Sequence, residues 1–334
     1  MSKQISIIIP AYNAERTISK TLERVFACMP PDGTQSEVIV VDDGSTDQTA
    51  EIVRGFGSVK YVYQENKGPA AARNRGLREG QGDIVFFTDS DCLPQSDWLE
   101  KMFPHFQGPQ VGVVCGSYGI ANPQSVLARG IHQEILFRHR TLMPQYPKVF
   151  GSYNFAVRKN VFEEAGGFNE TYPHASGEDN DLAYKILNKG HKIYFEKESF
   201  VDHHHPERLP KYLKEQFRHG FWRVKMYADH PAMSKGDDYT FWKDMAEVPL
   251  SLLVLVGLAG SFFCAPAGYV FKISFLCLLC IELFYANRFL KNINEKMSYA
   301  FVMFLRSFAR MFGFLSGVVN TVVLFCVKKN NDKK

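Results

Sequence analysis

Usable cysteine pairs and a strong charge of one sign are missing from this sequence, and its opening residues do not read as a secretion leader. Seven Cys occur in 334 residues, an odd number at irregular spacing, which excludes a disulfide scaffold and places the main domain in a reducing compartment. Cys277 and Cys280 form a CxxC, but it lies inside LCLLCIELF with no second pair. They read as small apolar helix residues rather than a zinc or redox site. The opening MSKQISIIIPAYN stops its apolar run at Pro10 and has no small-residue cleavage site, so the first domain is expected to stay in the cytoplasm. There is no internal repeat, and the tail KKNNDKK is the one biased segment. No Ser-His-Asp or Cys-His arrangement offers an enzyme nucleophile.

What is present is an ordinary globular composition, 46% hydrophobic, 14% aromatic and 22% charged. It rules out a disordered or collagen-like chain, and the length suits about two domains. The net charge of +4 hides a split. Residues 240–334 hold 11 Lys and Arg against 5 Asp and Glu, whereas residues 1–239 hold 28 against 30. The basic third is also the most apolar third, which points to a membrane segment with basic flanks rather than a nucleic-acid arm.

In the first half, short apolar runs alternate with helical spacing. Ile5–Ile9, Val38–Val41, Val59–Tyr63 and Ile84–Phe87 read as buried strands. Between them, Ile18, Leu22, Val25, Phe26 and Met29, then Ala50, Ile52, Val53 and Phe56, then GPAAARNRGLREG suit helices. Leu99, Met102, Phe103 and Phe106 mark another. This order predicts an α/β fold with a mainly parallel sheet and helices on both faces, whose ligands bind beyond the carboxyl ends of the strands. Asn13, Asp42, Asp43, Asp89 and Asp91 fall at those ends. Further strands are expected at Val111–Cys115, Phe155–Val157, Ile193–Phe195 and Ser199–Val201.

Residues 207–228 are amphipathic and basic, with Leu209, Leu213, Phe217 and Phe221 in one stripe. They suit either a packed helix or one lying on an anionic membrane surface. Val248–Phe271 is uncharged over 24 residues and is interrupted by Pro266 and Gly268. Spans are expected near 248–266 and 272–289, with a third apolar helix near 299–327. Gly313, Gly317 and Thr321 in that third run allow close helix packing. Basic residues on both sides, Arg288, Lys291 and Lys296 before it and Lys328, Lys329, Lys333 and Lys334 after it, favour a re-entrant or interfacial third helix. The division is thus 1–235 for the sheet domain and 236–334 for the membrane-associated helices.

Four acidic or histidine clusters carry chemistry. TDSD at 88–91 leaves a buried strand, so Asp89 and Asp91 can face a cleft and a hard divalent cation; acidic turns are also common without one. In VVDDGSTD at 40–47, Asp42 or Asp43 can accept bonds from a nucleobase or ribose, or form an Asx turn before a helix. PAYNAE at 10–15 places a turn where backbone could approach a nucleotide. In GEDNDL at 177–182, Glu178, Asp179 and Asp181 suit a helix start, yet their repulsion raises at least one pKa toward that of a general base. In VDHHHP at 201–206, His203 and His205 share a strand face, and either could join a metal site.

Together with NKGPAAARNRG and GSYNFAVRKNVFEEAGGFNE, these motifs in this order resemble the family-2 glycosyltransferases of GT-A fold, over about residues 5–230. The resemblance implies inverting transfer of one sugar from a nucleoside-diphosphate sugar, with Mg or Mn. It implies nucleotide-sugar binding by Pro10, Ala11, Tyr12, Asn13, Glu15, Asp42, Asp43, Lys67, Gly68, Arg73, Asp89 and Ser90. It implies Asp179 as the catalytic base, metal ligation by Asp91 with His203 or His205, and a sugar and acceptor frame of Asn154, Gly167 and Glu178. Processive members carry QxxRW; here QFRHGFW at 216–222 has His219 and Gly220 in the Arg and Trp places, which favours single-sugar transfer. The expected partners are a nucleotide sugar, a lipid-linked or glycan acceptor and the inner face of the cytoplasmic membrane, with oligomers open and no nucleic acid. A polyprenyl-phosphate acceptor and a non-catalytic membrane scaffold are the alternatives. A nucleotidyltransferase fits less well, because PAYNAER stands where its Gly-rich basic loop would be.

Overall fold

A computed structural model describes residues 4–28, 35–172, 177–232 and 236–331, with side chains to Val322. Met29, Lys333 and Lys334 lie outside the described residues, and so do the side chains of Lys328 and Lys329. The first half runs β1 (Ile5–Ala11), α1 (Ile18–Ala27), β2 (Ser36–Asp43), α2 (Thr49–Gly55), β3 (Val59–Gln64), α3 (Pro69–Glu79) and β4 (Ile84–Thr88). There follow β5 (Cys92–Pro94), α4 (Trp98–Met102), β6 (Val111–Ile120), α5 (Val126–Thr141), β7 (Asn154–Arg158), α6 (Lys159–Glu164), α7 (Glu178–Asn188) and β8 (Lys192–His203). Four long helices close the chain: α8 (Leu209–Asp229), α9 (Trp242–Gly260), α10 (Ala265–Phe289) and α11 (Ile293–Asn331).

The eight strands form one sheet in the order β3-β2-β1-β4-β7-β6-β8-β5. It is parallel through β3, β2, β1 and β4 and mixed beyond, with β7 antiparallel to both β4 and β6. Alternation explains the two cores. Ile5, Ile7 and Ile9 of β1 pack into one face with α1, while Ile8 joins α3 and α7 on the other. Both faces are dry, so these strands read as unbroken apolar runs.

Two local features differ from the sequence expectation. Ile193–Phe195 and Ser199–Val201 belong to one strand, β8, because the polar residues between them bulge: the register against β6 jumps from Gly116↔Glu196 to Ser117↔Phe200. The helix expected through Phe106 stops at Met102 and continues as a 3₁₀ turn over Phe103–Gln107. Pro104 has no N–H to continue an α-helix.

The chain divides into two compact units. One is Met1–Asn122 with Arg138–His205; the other is Pro123–Phe137 with Pro206–Lys334. The boundary expected at 235/236 therefore lies inside the second unit, because α8 packs on α11. Their crossing is glycine-lined: a Cβ on Gly313 would stand 2.0 Å from the Phe217 carbonyl oxygen, and one on Gly220 would stand 2.2 Å from that of Arg310. The buried face of α8 is Tyr212, Gln216 and Gly220, and Phe217 from the expected apolar stripe is 37% exposed.

The uncharged run Val248–Phe271 is folded in two. Helix α9 ends at Gly260 and α10 begins at Ala265, with Pro266 in its first turn, so residues 248–266 do not form one span. The apolar part of α9 is about 20 Å long at 1.5 Å per residue, short of a hydrocarbon core of about 30 Å. Among the described residues, the helices long and apolar enough to cross a membrane are Ala265–Phe289 and Ile293–Val322. Within this unit Arg306 lies 2.8 Å from Glu134 and 2.6 Å from Glu247, and Lys243 pairs with Glu247 and Glu282.

Candidate active site at the strand ends

Parallel order places the carboxyl ends of β1, β2 and β4 along one edge of the sheet. There the turn after β1 and the turn after β2 are laced together. The Asn13 N–H donates to Ser45 Oγ at 2.9 Å, and Asn13 Oδ1 accepts from the Thr46 N–H at 2.8 Å. Asn13 holds φ at +49°, a left-handed conformation that Asn tolerates better than most residues. Ala14 N–H donates to Thr49, and Glu15 accepts from Gln48 N–H. Pro10 and Ala11 are buried in β1, while Tyr12 is 52% exposed.

Asp42 and Asp43 divide the work foreseen for them. Asp42 Oδ1 accepts from the Ser45 N–H at 2.8 Å, closing an Asx turn, and Oδ2 accepts from the Tyr61 hydroxyl at 2.6 Å. Burial and the Asp42 carboxylate push the Tyr61 phenol up to about 12, so it remains a donor. Asp43 is taken by three donors: Gln64 at 2.7 Å, the Lys67 N–H at 2.9 Å and the Gly68 N–H at 2.8 Å. It clamps β2 to the entry of α3, where Gly68 has φ +90° and Pro69 opens the helix. Asp42 keeps two acceptor positions, and Asp43 keeps fewer.

The next helix brings Arg73 inward. Its side chain is 2% exposed, with Nη2 2.7 Å from Asp89 Oδ1 and Nη1 3.2 Å from Glu178 Oε1. One guanidinium thus joins the end of β4 to the first turn of α7. Glu178 also accepts from the Gly177 N–H at 3.1 Å and is buried. Beside it, Asp179 is raised to about 7, by burial first and then by the Glu178 charge, against the opposing pull of the Asn180 N–H and Arg73. Asp181 instead pairs with Lys185 at 2.6 Å.

The metal-ligating candidates meet through strand pairing. β5 runs antiparallel to β8 with Cys92 opposite His203. Ligand atoms of Asp91, Cys92 and His203 all lie within 4.8 Å of one another, and His203 Nε2 is 3.8 Å from Asp91 Oδ2. Cys92 is fully buried, and burial together with Asp91 and Asp89 pushes its thiol well up. A carboxylate and an imidazole remain, a donor set that could hold a divalent cation. Asp91 keeps 44% of its side chain exposed, which leaves room for further oxygen ligands. His205 stands behind: its Nδ1 is 3.4 Å from His203 Nδ1, and its backbone is held on both sides by Asn122. Ser90 contributes its carbonyl to Thr21.

Two of the residues expected to frame sugar and acceptor are taken up by protein partners. Asn154 is wholly buried, accepting from Trp98 Nε1 at 2.8 Å and donating to the Ser117 and Ser199 carbonyls. Gly167 has φ +69° in a turn bound by Asn74, and a Cβ there would lie 2.8 Å from Asn74 Oδ1. Both hold the fold. Glu178 likewise faces Arg73. Tyr61 was missed from the sequence because only the β2–β3 register brings it beside Asp42.

A model described as glycosyl transferase family 2 matches residues 6–166. Glycosyltransferase AglE of Haloferax volcanii is 31% identical over 229 residues, 67% of this chain and 74% of that protein. The pre-mycofactocin glycosyltransferase of Mycobacterium tuberculosis is 31% identical over 239 residues, 69% of this chain and 48% of that one. The chain thus spans about three quarters of the first relative and half of the second. Among solved structures, mannosyltransferase PcManGT of Pyrobaculum calidifontis, in complex with GDP-Man and Mn²⁺, superposes with TM-score 0.60 at 18% identity, covering 95% of this chain and 88% of that one. GalNAc-T7 with UDP, GalNAc and Mn²⁺ gives 0.50 at 17%, over 69% and 50%. At these identities the likeness is one of fold.

Proposed function

The chain belongs to glycosyl transferase family 2, and on that premise we propose that it moves a single sugar, with inversion, from a nucleoside-diphosphate sugar to an acceptor hydroxyl. The observation that carries this reading is the Arg73 bridge, which sets the Asp179 region against the end of β4, beside Asp89 and Asp91. Asp179 accepts the proton of the acceptor hydroxyl as that oxygen bonds to the anomeric carbon. The bond from that carbon to the diphosphate breaks on the opposite face, and the nucleoside diphosphate leaves with the electron pair. A carboxylate titrating near 7 is well matched to this task. A phosphate acceptor, already ionised at that pH, would need no such base, which favours a hydroxyl.

Asp42, with two acceptor positions left, would face the base or ribose, and Asp89 the ribose. Asp91 and His203 would hold the divalent cation, which when bound offsets charge building on the leaving diphosphate. Mn²⁺ accompanies nucleotide or nucleotide sugar in the two solved neighbours. Gly220, pressed on the Arg310 carbonyl, leaves no room for the Trp of processive members. The two long apolar helices and the basic excess of residues 240–334 support a lipid-linked glycan acceptor at the cytoplasmic face of the membrane.

The test is a donor panel with detergent-solubilised protein, Mn²⁺ and an EDTA control. Release of nucleoside diphosphate and glycosylated product are read by mass spectrometry. Turnover from one donor, abolished in Asp179→Asn, is expected. Near-full turnover in that variant would remove Asp179 as base. Lipid-linked glycans in a deletion strain should lack one sugar.

A further inference from the structure

Glu178 and Arg73 occupy an unusual position for charged groups: each side chain is 2% exposed, and they face each other at 3.2 Å. Neither reaches solvent, so neither is placed to touch an acceptor. Breaking a buried pair leaves a stranded charge, and such pairs are replaceable by apolar groups as far as stability goes. Stability alone therefore gives no reason to place one here. Its placement does. Arg73 comes from α3, Asp89 from the end of β4 and Glu178 from the first turn of α7, and Asp179 is the next residue in that turn. Glu178 Oε2 also accepts from the Gly177 N–H, fixing the turn just before the helix. We propose that Arg73 and Glu178 are positioning residues that lock the first turn of α7 to the end of β4 and so fix where the Asp179 carboxylate stands and what charge it meets.

This rests on Asp179 being the base. The charged groups acting on it are Glu178 in its own turn and Arg73 from α3, the latter shared with Asp89 of the β4 end; the Asn180 N–H donates to its Oδ1 at 2.8 Å. One turn on, Asp181 is neutralised by Lys185. Glu178 thus pushes the Asp179 proton affinity up and Arg73 pulls it down.

The experiment is the pH profile of kcat for Glu178→Gln in the full-length protein. Gln keeps the shape and still accepts a bond from Arg73, while losing the negative charge. The acid limb is expected to fall by about one pH unit, so that at pH 6 the variant reaches about fivefold more of its own plateau rate than the parent does. Affinity for the nucleoside diphosphate should stay within about twofold, since Glu178 does not face the donor. Glu178→Asp keeps the charge and shortens the reach, so it should lower kcat with the limb in place; this variant carries the test if Gln fails to fold. Replacing both Arg73 and Glu178 by Met removes opposing influences and should return the limb toward its original pH. A limb that stays put in Glu178→Gln overturns the proposal, as does full parental kcat in Glu178→Asp. Asp179→Asn is run in parallel. If it keeps turnover, the base reading has failed; if it is inactive while the limb stays put, the positioning role alone has failed.

Discussion

At the strand ends Asp91 keeps 44% of its side chain in solvent, and Asp89 keeps 27%. In the helical unit Glu247 and Glu282 keep none, each set against Lys243, with Arg306 also on Glu247. Both regions are rich in acid, yet they use it differently. An open carboxylate retains lone pairs for a cation, a ribose or a proton. A buried carboxylate set against cations offers no oxygen to solvent and contributes to which helices pair. Function is therefore expected to fail at the first kind of site without loss of fold, and fold at the second.

The largest effect sharpens the first half of that contrast. Asp179→Asn should lower turnover by about 10²–10⁴-fold in a transfer assay. The same variant should be the more stable protein in neutral solution. The carboxyl titrates at 3.8 ordinarily and about 7 when folded. A raised carboxyl stabilises the fold while protonated and loses that contribution as pH rises. The melting temperature of Asp179→Asn should thus pull ahead of the parent's from about pH 4 to 7 and hold its lead above. A parent that stays level with the variant throughout would break the contrast.

Arg306→Met addresses the second half. It leaves Glu134 and Glu247 short of a cation and should cost about 3–5 kcal/mol, read by thermal unfolding in detergent. Loss of turnover with an unchanged melting curve would show that this cluster serves chemistry. His203→Ala should weaken Mn²⁺ affinity by about 10–100-fold, measured by calorimetry, with little change in melting temperature. The smallest effect is expected from Tyr61→Phe, which removes one hydrogen bond to Asp42 and should weaken nucleoside-diphosphate binding by about fivefold.

Much of the sheet was legible because β1, β2 and β4 are buried on both faces and their apolar runs leave no other reading. The acidic turns were legible as positions, since parallel order dictates where they lie. Their partners were not. That Asn154 belongs to Trp98, or Glu178 to Arg73, depends on packing between residues far apart in sequence. The bulge inside β8 hid one strand as two. In the helical unit composition marked the apolar runs, but the turn at residues 261–264 lies inside an uncharged stretch, where hydropathy carries no boundary.

The three-residue strand β5 has a consequence for how the protein is made. Asp91 emerges from synthesis long before His203, and nothing local joins them. Their meeting waits on β8 docking along the sheet edge, a contact of high sequence separation that forms after its loop-closure cost is met. A nascent chain that has not reached residue 203 would hold half of the proposed cation site. With Asp91 and His203 as the proposed ligands, metal affinity would arrive only with the finished sheet, and a cation bound there would stabilise the completed fold over its precursors.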